Sequence, residues 1–230
     1  MSRSVVSALI ALGLGSLSCQ IWLPAPKANL PAPLASLAAP PPIEDAAPVR
    51  DAGEPVPEVG GPERSADELA REAAEMRVLA FLRSRHTALS QREIVELAET
   101  IVSEARQHEI DPELVLAVIQ VESGGYNLAE SHVGALGLMQ VMPETGGYMA
   151  RLLGLEWRGA GTLFDPIVNV KIGVAYLRQL SDRYQSVDIA LAAYNWGPSR
   201  IDSRLRRGVA LPSLYIEQVR KAYGVAAPPS

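Results

Sequence analysis

Polar capping residues followed by apolar residues at helical spacing recur along the chain from Ser65 onward. Two kinds of helix start are present: Ser/Glu capping boxes, in which each side chain bonds the backbone N–H of the other residue, and Asp-Pro steps, in which proline takes the first helical position. They occur at Ser65/Glu68, Ser90/Glu93, Asp111–Pro112 and Asp165–Pro166. Each of these positions is therefore predicted to begin a helix.

The apolar residues after these starts recur every three or four positions, which places them on one helical face. The clearest stripes are Leu69, Ala73, Met76 and Ala80, then Ile94, Leu97, Ile101 and Ala105, then Ile167, Val170, Val174 and Leu177. The runs DIALAAYN and SLYIEQVRKAYG predict two further helices, and the glycine pairs at 124–125 and 146–147 are interpreted as helix ends. Strand patterns are sparse, so the fold is predicted to be mainly α-helical.

The amino-terminal part of the chain has a different composition. Eleven of the 18 prolines fall between Pro24 and Pro62, without periodic apolar positions, so residues 20–63 are predicted to be a disordered Pro/Ala-rich linker. Before it, Arg3 precedes an apolar run that is too short to span a bilayer comfortably and fits an export signal over residues 1–19. An exported location, in the periplasm or cell envelope, is therefore expected.

Cys19 is the only cysteine, which excludes a disulfide within the chain. It resembles the acylated cysteine of bacterial lipoproteins, although the preceding Ser16, Leu17 and Ser18 depart from the order that such proteins prefer. The resemblance implies lipidation and attachment to a membrane. The alternatives are ordinary cleavage nearby or an uncleaved anchor, with Cys19 incidental to both.

Charge and motif content exclude several classes of function. The net charge of −5 argues against nucleic-acid binding. The three histidines are scattered, with no HExxH motif and no cysteine ligands, so no metal or cofactor is expected. A nucleophile elbow and a P-loop are also absent from the sequence. One basic run forms either a solvated helix face or a contact with an anionic polymer or membrane; it consists of Arg200, Arg204, Arg206 and Arg207.

Glu122 ends the apolar run LVLAVIQVE and precedes Ser123 and two glycines. The valines on its helical face direct the carboxyl group toward the core or a cleft wall. A helix C-terminus disfavours negative charge by about 0.3–1 kcal/mol, and partial burial acts in the same direction, so both favour the protonated acid. Such a group can donate a proton near neutral pH. A glutamate at a helix end is more often simply solvated, and the residues alone leave both interpretations open.

Four motifs together resemble a known family. ESGGYN, GALGLMQVMPETG, DPIVNVKIGVAYLRQL and LAAYNWGP occur in the order and rough spacing of the soluble lytic transglycosylase (SLT) type of domain, a relative of goose-type lysozyme. The resemblance runs from about residue 110 to 224 and implies a lysozyme-like helical domain with a cleft. The expected organisation is a helical segment at 64–86, a transglycosylase-like domain at 87–225 and a tail at 226–230.

The resemblance also implies roles for individual residues. Glu122 matches the family's catalytic acid and base, and Ser131 matches a serine that positions this glutamate and the N-acetyl group of the muramic sugar. The expected substrate contacts are Gln140, Met142, Tyr194, Asn195 and Tyr215, with Met142 either on the cleft floor or in the core. Tyr215 matches more loosely, because GVALPSLY lacks the acidic residue that many members carry before the tyrosine. GGYNLAESHVGA lacks the family's frequent Asn-Pro step.

The implied substrate and partner is the glycan strand of peptidoglycan. Cleavage between N-acetylmuramic acid and N-acetylglucosamine would leave a 1,6-anhydro end, without a cofactor. Glycosidases usually use two carboxylates, whereas this family uses one glutamate as acid and then as base. Two alternatives remain. One is a hydrolytic lysozyme-like muramidase, with Asp165 or Asp188 as its second carboxylate, and the other is a non-catalytic peptidoglycan-binding module.

Overall fold

A computed structural model of the chain describes residues 65–226. Over that range it contains eight α-helices, one 3-10 helix and no named strand. The helices are α1 Ala66–Arg83, α2 Gln91–Gln107, α3 Pro112–Glu122, α4 Pro143–Leu153, α5 Pro166–Tyr184, α6 Val187–Trp196, α7 Pro198–Arg206 and α8 Leu214–Ala226, with the 3-10 helix at Ala160–Phe164. The predicted mainly helical fold is confirmed. The predicted export signal, Cys19 and the linker lie outside the described residues.

The predicted helix starts are confirmed by their capping geometry. Ser65 and Ser90 each accept a hydrogen bond from the backbone N–H of a glutamate three residues later, and that glutamate accepts one from the serine N–H. Asp111 and Asp165 cap α3 and α5 through their carboxylates, with proline at the first helical position. None of the described helices is long and apolar enough to cross a bilayer.

The buried face of α1 differs from the predicted one. All four residues of the predicted stripe are exposed, and Met76 keeps 72% of its surface. Both faces have helical spacing, so periodicity could not choose between them. The rotation of the helix is set by its packing on α2 and α3, where Arg77 donates to the buried carboxylate of Glu113. The face that packs inward carries Ala74, Val78 and Leu82.

Helix α4 was not predicted, and a helix at α7 was only one of the two interpretations of the basic run. The interpretation of Gly146 and Gly147 as a helix end is wrong, because both lie inside α4. Trp157 packs directly over them: a Cβ at Gly146 would lie 2.8 Å from the Trp157 ring, and one at Gly147 would lie 3.3 Å from its Nε1. The two glycines therefore serve close packing. The pair at 124–125 does follow the end of a helix, and both residues have positive φ.

α5 packs against α2, α4 and α6 and also supports the loop that joins α3 to α4. A Cβ at Gly173 of α5 would overlap the side chain of Met139 in this loop. Asn169, one turn earlier, is fully buried, and its Oδ1 accepts from the Met139 N–H at 2.8 Å. Its Nδ2 donates to the carbonyls of Leu136 and Leu163 at 2.9 and 2.8 Å. Asn169 therefore anchors the α3–α4 loop to α5.

Replacing Asn169 by alanine is expected to lower the free energy of unfolding by about 3 kcal/mol, because one N–H and two carbonyls would lose their partner in the interior. Urea denaturation followed by circular dichroism measures the difference. The matched control is Gln107→Ala at the exposed end of α2, for which a change within about 0.5 kcal/mol is expected. Coincident unfolding curves for Asn169→Ala and the parent chain would contradict the anchoring role.

Candidate active site

Glu122 is the last residue of α3, and its carboxyl group lies at the boundary between the core and the surface. The Tyr215 hydroxyl of α8 donates to Glu122 Oε1 at 2.6 Å. Burial raises the pKa of Glu122 to about 7, and the Tyr215 hydrogen bond opposes this rise without cancelling it. At neutral pH the group is therefore present in both its acid and its carboxylate form.

Two tyrosines adjoin this carboxyl group and remain protonated. Tyr215 is 6% exposed, and burial followed by the negative charge of Glu122 raises its pKa well above the usual value. The same two causes raise the pKa of Tyr194 well above its usual range. Tyr194 donates to the Met139 carbonyl at 2.8 Å and packs against Tyr176 at a centroid distance of 5.6 Å. Both hydroxyls are thus fixed hydrogen-bond donors.

Ser123 joins the end of α3 to the α3–α4 loop. Its hydroxyl lies 2.8 Å from the carbonyl of Leu138 and 3.2 Å from that of Ile119, and its oxygen accepts from the Gly125 N–H at 3.1 Å. The sequence reasoning gave Ser123 no role of its own. A hydroxyl directly after the last residue of a helix, where carbonyls lack intrahelical partners, was the available signal. Ser123 holds the backbone beside Glu122 in place.

Gln140 has a left-handed backbone, with φ of 47°, in the α3–α4 loop. Its Nε2 donates to the carbonyls of Ala129 and Gly137 at 3.0 and 2.9 Å, so both side-chain N–H groups hold the loop. Its Oε1 has no partner within the described range, and the residue is partly exposed. Gln140 can therefore offer a substrate an acceptor oxygen, whereas its donors are already used.

The other expected site residues lie in different surroundings. Ser131 closes a turn, where its hydroxyl oxygen accepts from the Ala135 N–H at 2.9 Å, and no hydrogen bond joins it to Glu122 in the part of the chain described. Met142 is 37% exposed and precedes α4. Asn195 is exposed near the end of α6, one residue after Tyr194. The structure thus brings Glu122 together with Tyr215 and Tyr194, and leaves Met142 and Asn195 accessible at helix ends.

No second carboxylate affects the ionisation of Glu122 among the described residues, since only burial and Tyr215 shift its pKa. Asp165 is used as the cap of α5, and Asp188 pairs with Arg220 at 2.6 Å. Residues 65–226 contain no group of three or more His, Cys, Asp or Glu side chains that could hold a metal ion. The arrangement is a single carboxyl group that can give up and take back a proton.

Part of the chain is similar to known proteins. Residues 99–211, just under half of the chain, match the family model described as the Transglycosylase SLT domain, which supports a domain of this type over these residues. It is 42% identical over 102 residues to a transglycosylase of Enterobacteria phage PRD1, covering 44% of this chain and 35% of the phage protein. It is 36% identical over 98 residues to the soluble lytic murein transglycosylase of Salmonella typhimurium, covering 42% of this chain and 15% of that enzyme.

A membrane-bound lytic murein transglycosylase C of Histophilus somni is 43% identical over 82 residues, covering 35% of this chain and 23% of that protein. Among solved structures, an inactive mutant of the lytic transglycosylase Slt from Pseudomonas aeruginosa aligns with a TM-score of 0.46 and 30% identity, over 70% of this chain and 28% of that one. The matched part of the chain spans well under half the length of each of these relatives.

The raised pKa of Glu122 makes stability depend on pH. The pKa is about 7 in the folded chain and 4.5 for an unperturbed glutamate, so the folded state binds more protons between these values. The contribution of Glu122 to the free energy of unfolding is fully present below pH 4.5 and is lost as the pH rises through 7. Glu122→Gln has no group that titrates here and so removes this loss. At pH 8 we expect its free energy of unfolding to exceed that of the parent by on the order of 3 kcal/mol.

Denaturant unfolding of both proteins at pH 4.5 and pH 8 measures this effect. The difference in free energy of unfolding between the variant and the parent should be small at pH 4.5 and should grow steadily toward pH 8. The same difference at both pH values would show that the carboxyl group has an ordinary pKa.

Proposed function

We propose that the chain is an exported peptidoglycan lytic transglycosylase that cleaves the β-1,4 bond between N-acetylmuramic acid and N-acetylglucosamine. The observation that carries the proposal is the state of Glu122. Its carboxyl group has a pKa of about 7, and one of its oxygens accepts a hydrogen bond from Tyr215. No charged group of the described chain shifts this pKa. The names of the relatives, which are lytic murein transglycosylases, support the same activity.

The first step uses Glu122 as an acid. Because Tyr215 donates to Oε1, the proton of the neutral carboxyl group belongs on Oε2. This proton passes to the bridging oxygen while the bond from that oxygen to the muramic C1 breaks. The N-acetylglucosamine side leaves with a free 4-hydroxyl, and positive charge develops at C1, aided by the substrate's own N-acetyl group. Proton transfer of this kind contributes about 10²–10⁴-fold to a rate.

The second step uses the same group as a base. The Glu122 carboxylate removes the proton of the muramic C6 hydroxyl, and the C6 oxygen forms a bond to C1. The product has a 1,6-anhydro ring, Glu122 is protonated again, and no water is consumed. Tyr215 stabilises the carboxylate formed between the two steps, because a hydrogen bond from a neutral donor favours the charged acceptor.

The remaining site residues are proposed to bind and orient the strand. Gln140 offers its free Oε1 to a hydroxyl or amide N–H of the sugar, while Asn195 and Met142 supply accessible polar and apolar contacts. Tyr194 acts by holding the Met139 carbonyl beside the site. Ser131 is proposed to contribute through the turn that it closes, and to contact the N-acetyl group from there.

The proposal predicts that Glu122→Gln lowers kcat by at least about 10²-fold, since the amide can neither donate nor accept the transferred proton. Release of soluble fragments from purified sacculi measures the rate, and the parent's rate should fall as pH rises above about 7, where the acid form of Glu122 is lost. Gln107→Ala, on the exposed end of α2, is the control and should retain the parent's activity. A folded Glu122→Gln variant with parental activity would remove the assignment.

The mass of the fragments separates the proposal from its alternatives. The anhydro product is lighter by one water than the product of hydrolysis, so hydrated muramic ends would indicate a muramidase. Binding to sacculi without any release would indicate a non-catalytic module. The positions of Asp165 and Asp188, which cap a helix and pair with an arginine, favour the single-carboxyl reaction over hydrolysis.

The location of the domain is proposed from the amino-terminal sequence. An export signal over residues 1–19, lipidation at Cys19 and a linker over 20–63 would attach the catalytic domain to a membrane of the cell envelope through a long tether. We expect Cys19→Ser to move the protein from the membrane fraction to the soluble fraction of cells. Recovery of the variant in the membrane fraction at the parental level would exclude anchoring through this residue.

A further inference from the structure

Two aromatic rings from different parts of the chain lie stacked at the surface. His86 belongs to the loop between α1 and α2, and Tyr126 to the loop after α3. Their centroids are 5.7 Å apart and their planes differ by 10°. His86 is exposed and Tyr126 keeps 38% of its surface, so the pair presents ring surface to solvent. A mutual contact that leaves both rings accessible buries little area, and stability alone does not account for it.

The two loops are fastened together beneath the rings. The Asn127 N–H donates to the Thr87 carbonyl at 3.0 Å, and Thr87 is 3% exposed. Asn127 is itself buried and donates through Nδ2 to the Phe164 carbonyl at 2.9 Å. Gly125 approaches Arg85 so closely that a Cβ there would lie 3.2 Å from the arginine Cβ. The ring pair is therefore held in place before any ligand binds, which lowers the entropic cost of binding.

The pair also adjoins the site. The Tyr126 N–H donates to the Ser123 carbonyl at 3.1 Å, which closes a turn directly after Glu122. The Ser123 hydroxyl in turn contacts the Leu138 carbonyl of the α3–α4 loop. Tyr126 thus follows Glu122 by four residues and is attached to the same backbone framework. His86 lies in the α1–α2 loop, before the residues 99–211 that match the family model.

We propose that His86 and Tyr126 form a saccharide-stacking subsite that holds a sugar of the glycan strand beyond the cleaved bond. The inference rests on the proposed function, because a polymeric substrate must continue past the reacting sugars along the protein surface. A pyranose ring has a face of C–H groups, which packs on an aromatic ring as other apolar groups do, while its hydroxyls stay in water. Tyrosine suits such a place because its ring is apolar and its hydroxyl tolerates solvent.

The test compares binding of long and short strands in the Glu122→Gln background, which prevents turnover. The probes are peptide-free glycan strands and a tetrasaccharide of the same repeat, measured by isothermal titration calorimetry. Tyr126→Leu keeps an apolar side chain but removes the ring, and it should raise Kd for long strands by about 3- to 10-fold, the range that one aromatic contact supports. The tetrasaccharide, which fills the reacting positions, should lose less affinity than the long strands.

Four further variants separate the contribution of each ring from other effects. Tyr126→Phe keeps the ring and should rescue the affinity that Tyr126→Leu loses. His86→Ala should weaken long-strand binding in the same direction, and the double variant should lose less than the sum of both changes, because each ring supports the other. Tyr148→Leu removes an equally accessible tyrosine, 44% exposed on α4, and serves as the matched control.

Failure of the subsite and failure of the proposed function give different results. If the parent chain releases anhydro fragments but Tyr126→Leu binds long strands as the Glu122→Gln protein does, the subsite is excluded and the function stands. If Tyr126→Leu lowers the melting temperature without changing Kd, the ring pair only supports the fold, and the subsite is likewise excluded. If the parent neither binds strands nor releases fragments, the proposed function and the subsite fall together.

Discussion

A single hydrogen bond, from the Tyr215 hydroxyl to Glu122, joins the last described helix to the end of the third across 93 positions of sequence. Burial and this bond act on the carboxyl group in opposite directions, and their balance leaves its pKa at about 7. Burial requires α8 to pack on α3, and the same packing delivers the tyrosine. The acidity of the site is therefore a property of the whole helical arrangement and could not survive in an isolated α3.

Polar side chains in and beside the α3–α4 loop hold its backbone in place. Asn169 holds three backbone groups of the surrounding loops, and Gln140 spends both side-chain N–H groups on carbonyls. Ser123 connects the helix end with Leu138. The α3–α4 loop has two isolated antiparallel β-bridges, Glu130 with Leu136 and Leu136 with Val141, and side chains satisfy several of its other backbone groups. The proposed reaction through one carboxyl group would require such a fixed framework around Glu122.

The sequence was most informative where the cause is local. Capping residues located the starts of α1, α2, α3 and α5, and the buried stripe of α2 followed from spacing alone. The predicted buried face of α1 was wrong because two faces of this helix have helical spacing. Only the packing on α2 and α3 decides between them. Helix α4 was missed because Gly146 and Gly147 imitate a helix end, whereas Trp157 from outside the helix explains them.

The site shows the same difference between features with a local cause and features set by tertiary packing. The apolar run before Glu122 indicated an acid at the edge of the core, which is a local signal. Tyr215 was accessible only through resemblance to a family, because nothing in its surroundings along the chain indicates a partner 93 residues away. Ser123 was missed although it follows Glu122 directly, and the stacking of His86 on Tyr126 depends on two loops meeting. Local chemistry thus indicated the proposed reacting group, and long-range packing determines which residues surround it.

The Asn169 side chain occupies part of the space that a side chain at Gly137 would need. Gly137 has a φ of 77°, and a Cβ there would overlap the Asn169 amide and the Leu163 carbonyl. Any side chain at position 137 would therefore displace the group that fixes Met139, the residue whose carbonyl Tyr194 contacts. Shortening the side chain at position 169 would not open position 137, because the Leu163 carbonyl is a backbone group and the positive φ would remain. Glycine is therefore required at 137 whichever residue occupies 169.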